Sequence, residues 1–129
     1  MSQFKVYGQR QVLTPLRTEM SDVLHAAAVE VLGLPADKRF HRFFPMDPED
    51  FPTPAGRSDR YTVIEVLMFE GRTTATKKAL YQRLYRDFAA HLSIEPVDLE
   101  LTLLETPRHD WAIRGQAGDD LTLTYMVEQ

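Results

Sequence analysis

Apolar side chains fall on every second position in some stretches of this chain and on every third or fourth in others. Gln3–Tyr7 (QFKVY) alternates and predicts a short strand. Leu16, Met20, Val23, Leu24, Ala27, Ala28 and Val31 then recur at helical spacing and form one apolar stripe. Thr14-Pro15 offers a hydroxyl cap followed by a proline suited to a first helical position. Gly33 and Pro35 mark the other end, so the pattern predicts a helix from about Pro15 to Leu32. Arg39–Phe44 (RFHRFF) predicts a second strand, and Tyr61–Phe69 (YTVIEVLMF) a third with two largely apolar faces. Leu80, Leu84, Phe88 and Leu92 step by four, predicting a helix from about Thr74 to Leu92. Leu99–Leu104 alternates cleanly as a fourth strand. Leu121–Val127 (LTLTYMV) alternates again and predicts a C-terminal strand, one suited to pairing with a neighbouring subunit.

The order is therefore β-α-β twice, followed by a tail strand. The halves, residues 2–58 and 59–129, are offset by roughly 60 positions within one domain spanning 1–129. Each crossover makes its two strands parallel and lays its helix on one face. The expected fold is α/β (α+β): a four-stranded mixed sheet with two helices on one face, plus the tail strand. The uncovered face carries apolar side chains, which predicts oligomerisation. Pro45–Arg60, with four prolines, four acids and a glycine, is a long loop suited to covering a site or a partner.

Composition removes several function classes. The chain has no cysteine, which excludes disulfides, a thiol nucleophile and thiolate metal sites. A net charge of −4 gives no sign of a nucleic-acid partner. No apolar run reaches the ~20 residues of a membrane span, and the first twenty residues are too polar for a secretory signal. The expectation is a cytoplasmic protein with no membrane partner.

Candidate chemistry centres on Glu70-Gly71-Arg72-Thr73, where the third strand meets the second helix. Gly71 permits a sharp turn and Thr73 or Thr74 can cap the helix. Arg72 then stands beside unpaired helix amides, and both favour an anion such as a carboxylate. A surface arginine in a tight turn is the plainer reading of the same residues. Arg39 and Arg42, with His41, could add cations from the second strand, or form its solvent face. Phe69 closes the third strand, and Trp111, the only tryptophan, lies in the irregular stretch Thr106–Asp120 as a packing anchor or a pocket wall. His25, His41, His91 and His109 lack metal-ligand spacing, so neither metal nor cofactor is expected.

Together these markers resemble the tautomerase superfamily, in particular the long-chain branch of malonate semialdehyde decarboxylase and the cis-3-chloroacrylic acid dehalogenases. The resemblance is carried by Leu13-Thr14-Pro15, His25-Ala26-Ala27, Gly33-Leu34-Pro35-Ala36-Asp37-Lys38-Arg39-Phe40, Glu70-Gly71-Arg72-Thr73, Leu104-Glu105-Thr106-Pro107 and Asp110-Trp111. It implies a homotrimer with active sites near subunit boundaries, a cofactor-free reaction, and a small carboxylate-bearing substrate. It also implies an N-terminal proline amine as the proton carrier, with arginines holding the carboxylate. Arg72 matches the junction arginine. The proline position holds Ser2, which starts the chain once Met1 is removed. Its primary amine has an ordinary pKa near ~8 and could carry a proton or form an imine. Glu70 and Phe69 stand where a second arginine often occurs, and Lys38 aligns with the decarboxylase aspartate, with Asp37 adjacent.

Two functions follow from the resemblance. One is a cofactor-free isomerase or lyase acting on small 2-oxo or enol acids, with Ser2 and Arg72 catalytic and Arg39, Arg42, Phe69 and Trp111 around the substrate. The other is a catalytically impaired relative that binds small acids or serves as an assembly module. A third, an acid-binding regulatory domain, would share only the strand order.

Overall fold

The computed structural model describes residues 2–129. The first alternation runs further than its apolar core suggests. Strand β1 spans Ser2–Gln9, with every second residue from Ser2 to Gly8 buried. The chain passes directly into α1, Arg10–Leu32, which corrects the expected start at Pro15. Val12 and Leu13 are buried, so the turn before Thr14-Pro15 has apolar surface to place against the core. That gain outweighs the hydrogen bond Pro15 removes inside the helix. The C-terminal end follows expectation: Gly33 adopts a left-handed φ of 69°, and Leu34 N–H returns to Ala28 O at 3.2 Å.

Strand β2 is His41–Met46, two residues later than the pattern predicts. Arg39 and Phe40 lie outside it, although Phe40 O still accepts Phe4 N–H at 2.8 Å. Strand β3 is Thr62–Phe69, α2 is Thr74–Leu92 and β4 is Leu99–Thr106. Thr73 caps α2 by accepting Thr76 N–H at 3.2 Å.

The sheet order is β2-β1-β3-β4. β1 runs parallel to β2 and antiparallel to β3, and β3 runs parallel to β4. Both helices cover one face. Met20, Leu24 and Ala27 of α1 and Leu80, Leu84 and Phe88 of α2 pack with Phe4, Val6, Ile64 and Val66 into one core. The opposite face carries Tyr7, Phe44, Glu65, Leu67 and Leu104, with Phe44 and Leu104 each 40% exposed. Tyr7 stacks on Phe44 and donates to Glu65 Oε1 at 2.6 Å.

The loop Pro45–Arg60 docks at the end of the sheet where β3 begins. Asp98 accepts both Ser58 N–H and Ser58 Oγ–H, and Arg60 donates to Leu92 O and Ser93 O at the end of α2. After β4 come the short strands β5, Ala112–Ile113, and β6, Gln116–Ala117. The stretch Leu121–Val127 pairs with no strand among the described residues. Within the protomer its alternation serves burial: Leu121 and Val127 are buried and Leu123 and Tyr125 partly so, while Thr122, Thr124 and Met126 face out. No helix among the described residues is long and apolar enough to cross a membrane.

Candidate functional site

Ser2 pairs in register with Met68, so the start of β1 lies beside the end of β3. Glu70, Gly71 and Arg72 follow at that same end of the sheet. So do the C-terminus of α1 and the C-terminal tail. The tail is tied there by Thr73 N–H to Gln129 O at 3.0 Å and Thr76 Oγ–H to the same oxygen at 2.7 Å. Gly71, at φ 126°, fits beneath it: a Cβ there would lie 3.3 Å from Val127 Cγ1 and 3.4 Å from Glu128 Cγ.

A small cavity of about 40 Å³ opens at this end. Ser2 and Phe4 form its floor, His25 and Ala28 of α1 one side, and Lys38 and Phe40 another. Leu121 to Tyr125 and Arg114 complete it, and none of the described residues lining it is acidic. Arg114 reaches it from an Arg114-Gly115 hairpin turn in which both residues have positive φ, 52° and 80°. A non-glycine residue held in that region is strained, a feature that clusters at functional sites. Gly118 anchors the loop behind: a Cβ there would lie 2.1 Å from Arg108 O, so no side chain fits.

Arg72 does not line the cavity, but it is buried at the same end, with 5% of its surface exposed. Nη2 donates to Leu32 O at 2.8 Å, closing one free carbonyl of α1. Nε and Nη1 have no partner among the described residues. Burial works against the guanidinium charge, and only the field of Glu105 favours it. Glu105 itself holds Lys77 at 2.5 Å.

The other sequence candidates separate. Arg39 pairs with Asp22 at 2.7 Å and donates to Ser21 Oγ, outside the cavity. Arg42 is exposed on the uncovered sheet face, next to Lys5 in register. Phe69 and Trp111 meet edge to face at 5.5 Å and form a second apolar cluster with Val127, Phe40, Leu123 and Tyr125. They support the tail wall from behind. The sequence pattern does not single out Arg114, Tyr125 or His25 as cavity residues, and Lys38 stands out only through its alignment with the decarboxylase aspartate. The one available signal was a polar margin on α1, Ser21 and His25, running beside the apolar stripe.

His25 Nε2 meets Ala36 O at 2.8 Å, and Ser21 Oγ meets His41 Nδ1 at 2.8 Å. Burial, reinforced by Arg39, His25 and Arg42, lowers the His41 pKa to about 4. An unfolded histidine takes a proton below ~6.5. Between about pH 4 and that value the unfolded state therefore binds more protons, and stability rises with pH. The melting temperature should climb across this window and level off above it. In His41→Phe the climb should be shallower. Identical pH profiles for the two proteins would contradict this.

Residues 38–114, more than half of the chain, match the family of tautomerase enzymes. This chain belongs to that family. Among solved structures, this tautomerase-family chain is similar to the FG41 malonate semialdehyde decarboxylase inhibited by 3-bromopropiolate. The two share 28% identity over 85% of this chain and 87% of that one, with a TM-score of 0.76. It shares the fold of another malonate semialdehyde decarboxylase, at 23% identity over 93% and 99% of the chains and a TM-score of 0.82. The fold is also that of the F6 fused 4-OT, an asymmetric trimer, at 23% identity over 91% and 96% and a TM-score of 0.79.

Proposed function

We propose that this protein is a cofactor-free isomerase or lyase acting on small 2-oxo or enol carboxylic acids, assembled as a homotrimer. The observation that carries this reading is Arg72. A buried guanidinium with two nitrogens unpartnered is a net cost to the fold, so stability alone does not account for it. An anion does. A carboxylate accepts two parallel N–H bonds from one guanidinium, and the neighbouring cavity adds Lys38 and Arg114 with no acid to oppose them. The FG41 neighbour is inhibited by 3-bromopropiolate, a small carboxylate.

In this reading the cations hold the carboxylate and stabilise negative charge as it develops on the enol oxygen. The Ser2 amine carries the proton: its ammonium form delivers one to the enol carbon, and the proton given up by the enol oxygen returns to the amine through solvent, giving the 2-oxo acid. Removal of Met1, which frees that amine, lies outside the described residues; an intact mass identifies the residue bearing it. Serine where relatives of this type use proline favours a second reading, a small-acid binding module whose chemistry is reduced.

The test is ketonisation of small enol acids, followed by absorbance with an aryl enolpyruvate. Wild-type turnover supports the enzyme. Silence in wild type with turnover in Ser2→Pro supports the binding module with an intact pocket. Silence in both, with no carboxylate bound, removes both readings.

A further inference from the structure

We infer that the Tyr125 hydroxyl donates a hydrogen bond to the second oxygen of the bound acid, the keto or enol oxygen beside its carboxylate. This rests on the carboxylate reading of the cavity and adds a catalytic residue to it, supplied by the C-terminal segment.

Two side-chain oxygens at this cavity are buried without a hydrogen-bond partner among the described residues, Ser2 Oγ and Tyr125 OH. Buried polar groups in native proteins are rarely left so, because an unmade bond carries the full desolvation cost. The other polar groups have uses. His25 is engaged by Ala36 O and His41 by Ser21, while Thr122 and Thr124 are exposed to solvent. Ser2 already contributes its amine in the proposed reaction. The tyrosine ring is explained by packing, since it joins the cluster of Phe69, Leu123 and Val127. Its hydroxyl is not, because phenylalanine would fill that cluster equally well.

The backbone around Tyr125 is fixed on both sides. Leu121 and Val127 are buried before and after it, and Gln129 O is held by Thr73 and Thr76. The hydroxyl is thus a neutral donor set in place before the ligand arrives. Such a donor gains most when the acceptor becomes an enolate, because charge then develops at the atom it faces.

The experiment compares Tyr125→Phe with wild type by calorimetric titration of 2-oxobutyrate and of butyrate, which differ at the second oxygen. Wild type should bind 2-oxobutyrate about tenfold more tightly. Tyr125→Phe should bind the two acids alike, with butyrate affinity and melting temperature unchanged. Its ketonisation kcat should fall on the order of a hundredfold with KM little altered. Retention of the preference in Tyr125→Phe overturns the inference. Equal binding of both acids by wild type overturns it while leaving the carboxylate site standing. Binding of neither acid removes the carboxylate reading and this inference together.

Discussion

Replacing Arg72 by methionine should remove carboxylate binding and ketonisation while leaving the melting temperature within a few degrees of wild type. Arg72 is 5% exposed, and Leu32 O is its only hydrogen-bond partner among the described residues. Losing that bond costs about 1 kcal/mol. Losing a buried charge that has no direct ion pair among the described residues, and only the field of Glu105 to offset its burial, returns part of that desolvation cost. Methionine keeps most of the stem volume, so no large void opens, whereas alanine would leave one. The two terms nearly offset, and ~1 kcal/mol moves the melting temperature by only about 4 °C in a domain of this size. Binding has no such compensation. Truncating one side of a buried, hydrogen-bonded charge pair costs ~2–5 kcal/mol, or about thirtyfold to several thousandfold in affinity. Calorimetric melting and carboxylate titration of the same samples separate the two roles. A fall of more than about 10 °C in melting temperature would make Arg72 a structural plug of the α1 C-terminus instead. Unchanged affinity would place the anion site elsewhere.

The sheet and both helices were legible because their signals are local and periodic. Leu80, Leu84, Phe88 and Leu92 lie on one stripe whatever packs against them, and α2 spans Thr74–Leu92 as the pattern predicts. Gly33 with Pro35 likewise fixes the end of α1 from sequence alone. The start of α1 misleads because a strong local signal, Thr14-Pro15, competes with a tertiary one. The burial of Val12 and Leu13 is decided by the sheet beneath them, and it wins. The tail reads differently within one protomer. Its residues alternate with polar ones as a strand would, and there Leu123, Tyr125 and Val127 pack on the Phe69–Trp111 cluster.

The site was legible only at the junction. Gly71-Arg72-Thr73 lies within one turn, so sequence spacing is enough to place the arginine beside a helix start. The cavity is assembled from residues far apart in the chain. His25 resembles an ordinary helix margin until the tail, about a hundred residues later, closes over it. Arg39 and Arg42 have the charge but lie outside the cavity of the protomer. Asp22 takes the first, and the alternation of β2 sends the second to the uncovered face.

That uncovered face supports the second large effect. Leu104→Glu should convert the proposed homotrimer, three times 14.9 kDa, into a species of 14.9 kDa in sedimentation. Leu104 pairs in register with Leu67, and Phe44 and Tyr7 stack further along the same face. A single sheet needs something against such a face, because apolar surface of this extent favours association. Near its centre Lys5 and Glu65 pair in register, and Glu65 is already satisfied by Tyr7 at 2.6 Å. That bond raises the Tyr7 pKa to about 12, so the phenol stays protonated and the pair persists at ordinary pH. A carboxylate at position 104 would be desolvated in the contact with no cation paired opposite it among the described residues, and symmetry would repeat the cost at every copy. The fold of each protomer should survive, since Leu104 is 40% exposed and lies on the opposite side of the sheet from the helix-covered core. Far-UV circular dichroism should therefore be unchanged while the sedimentation coefficient drops. If the variant sediments as wild type does, the copies meet through another surface, and the apolar residues of this face must be covered in some other way.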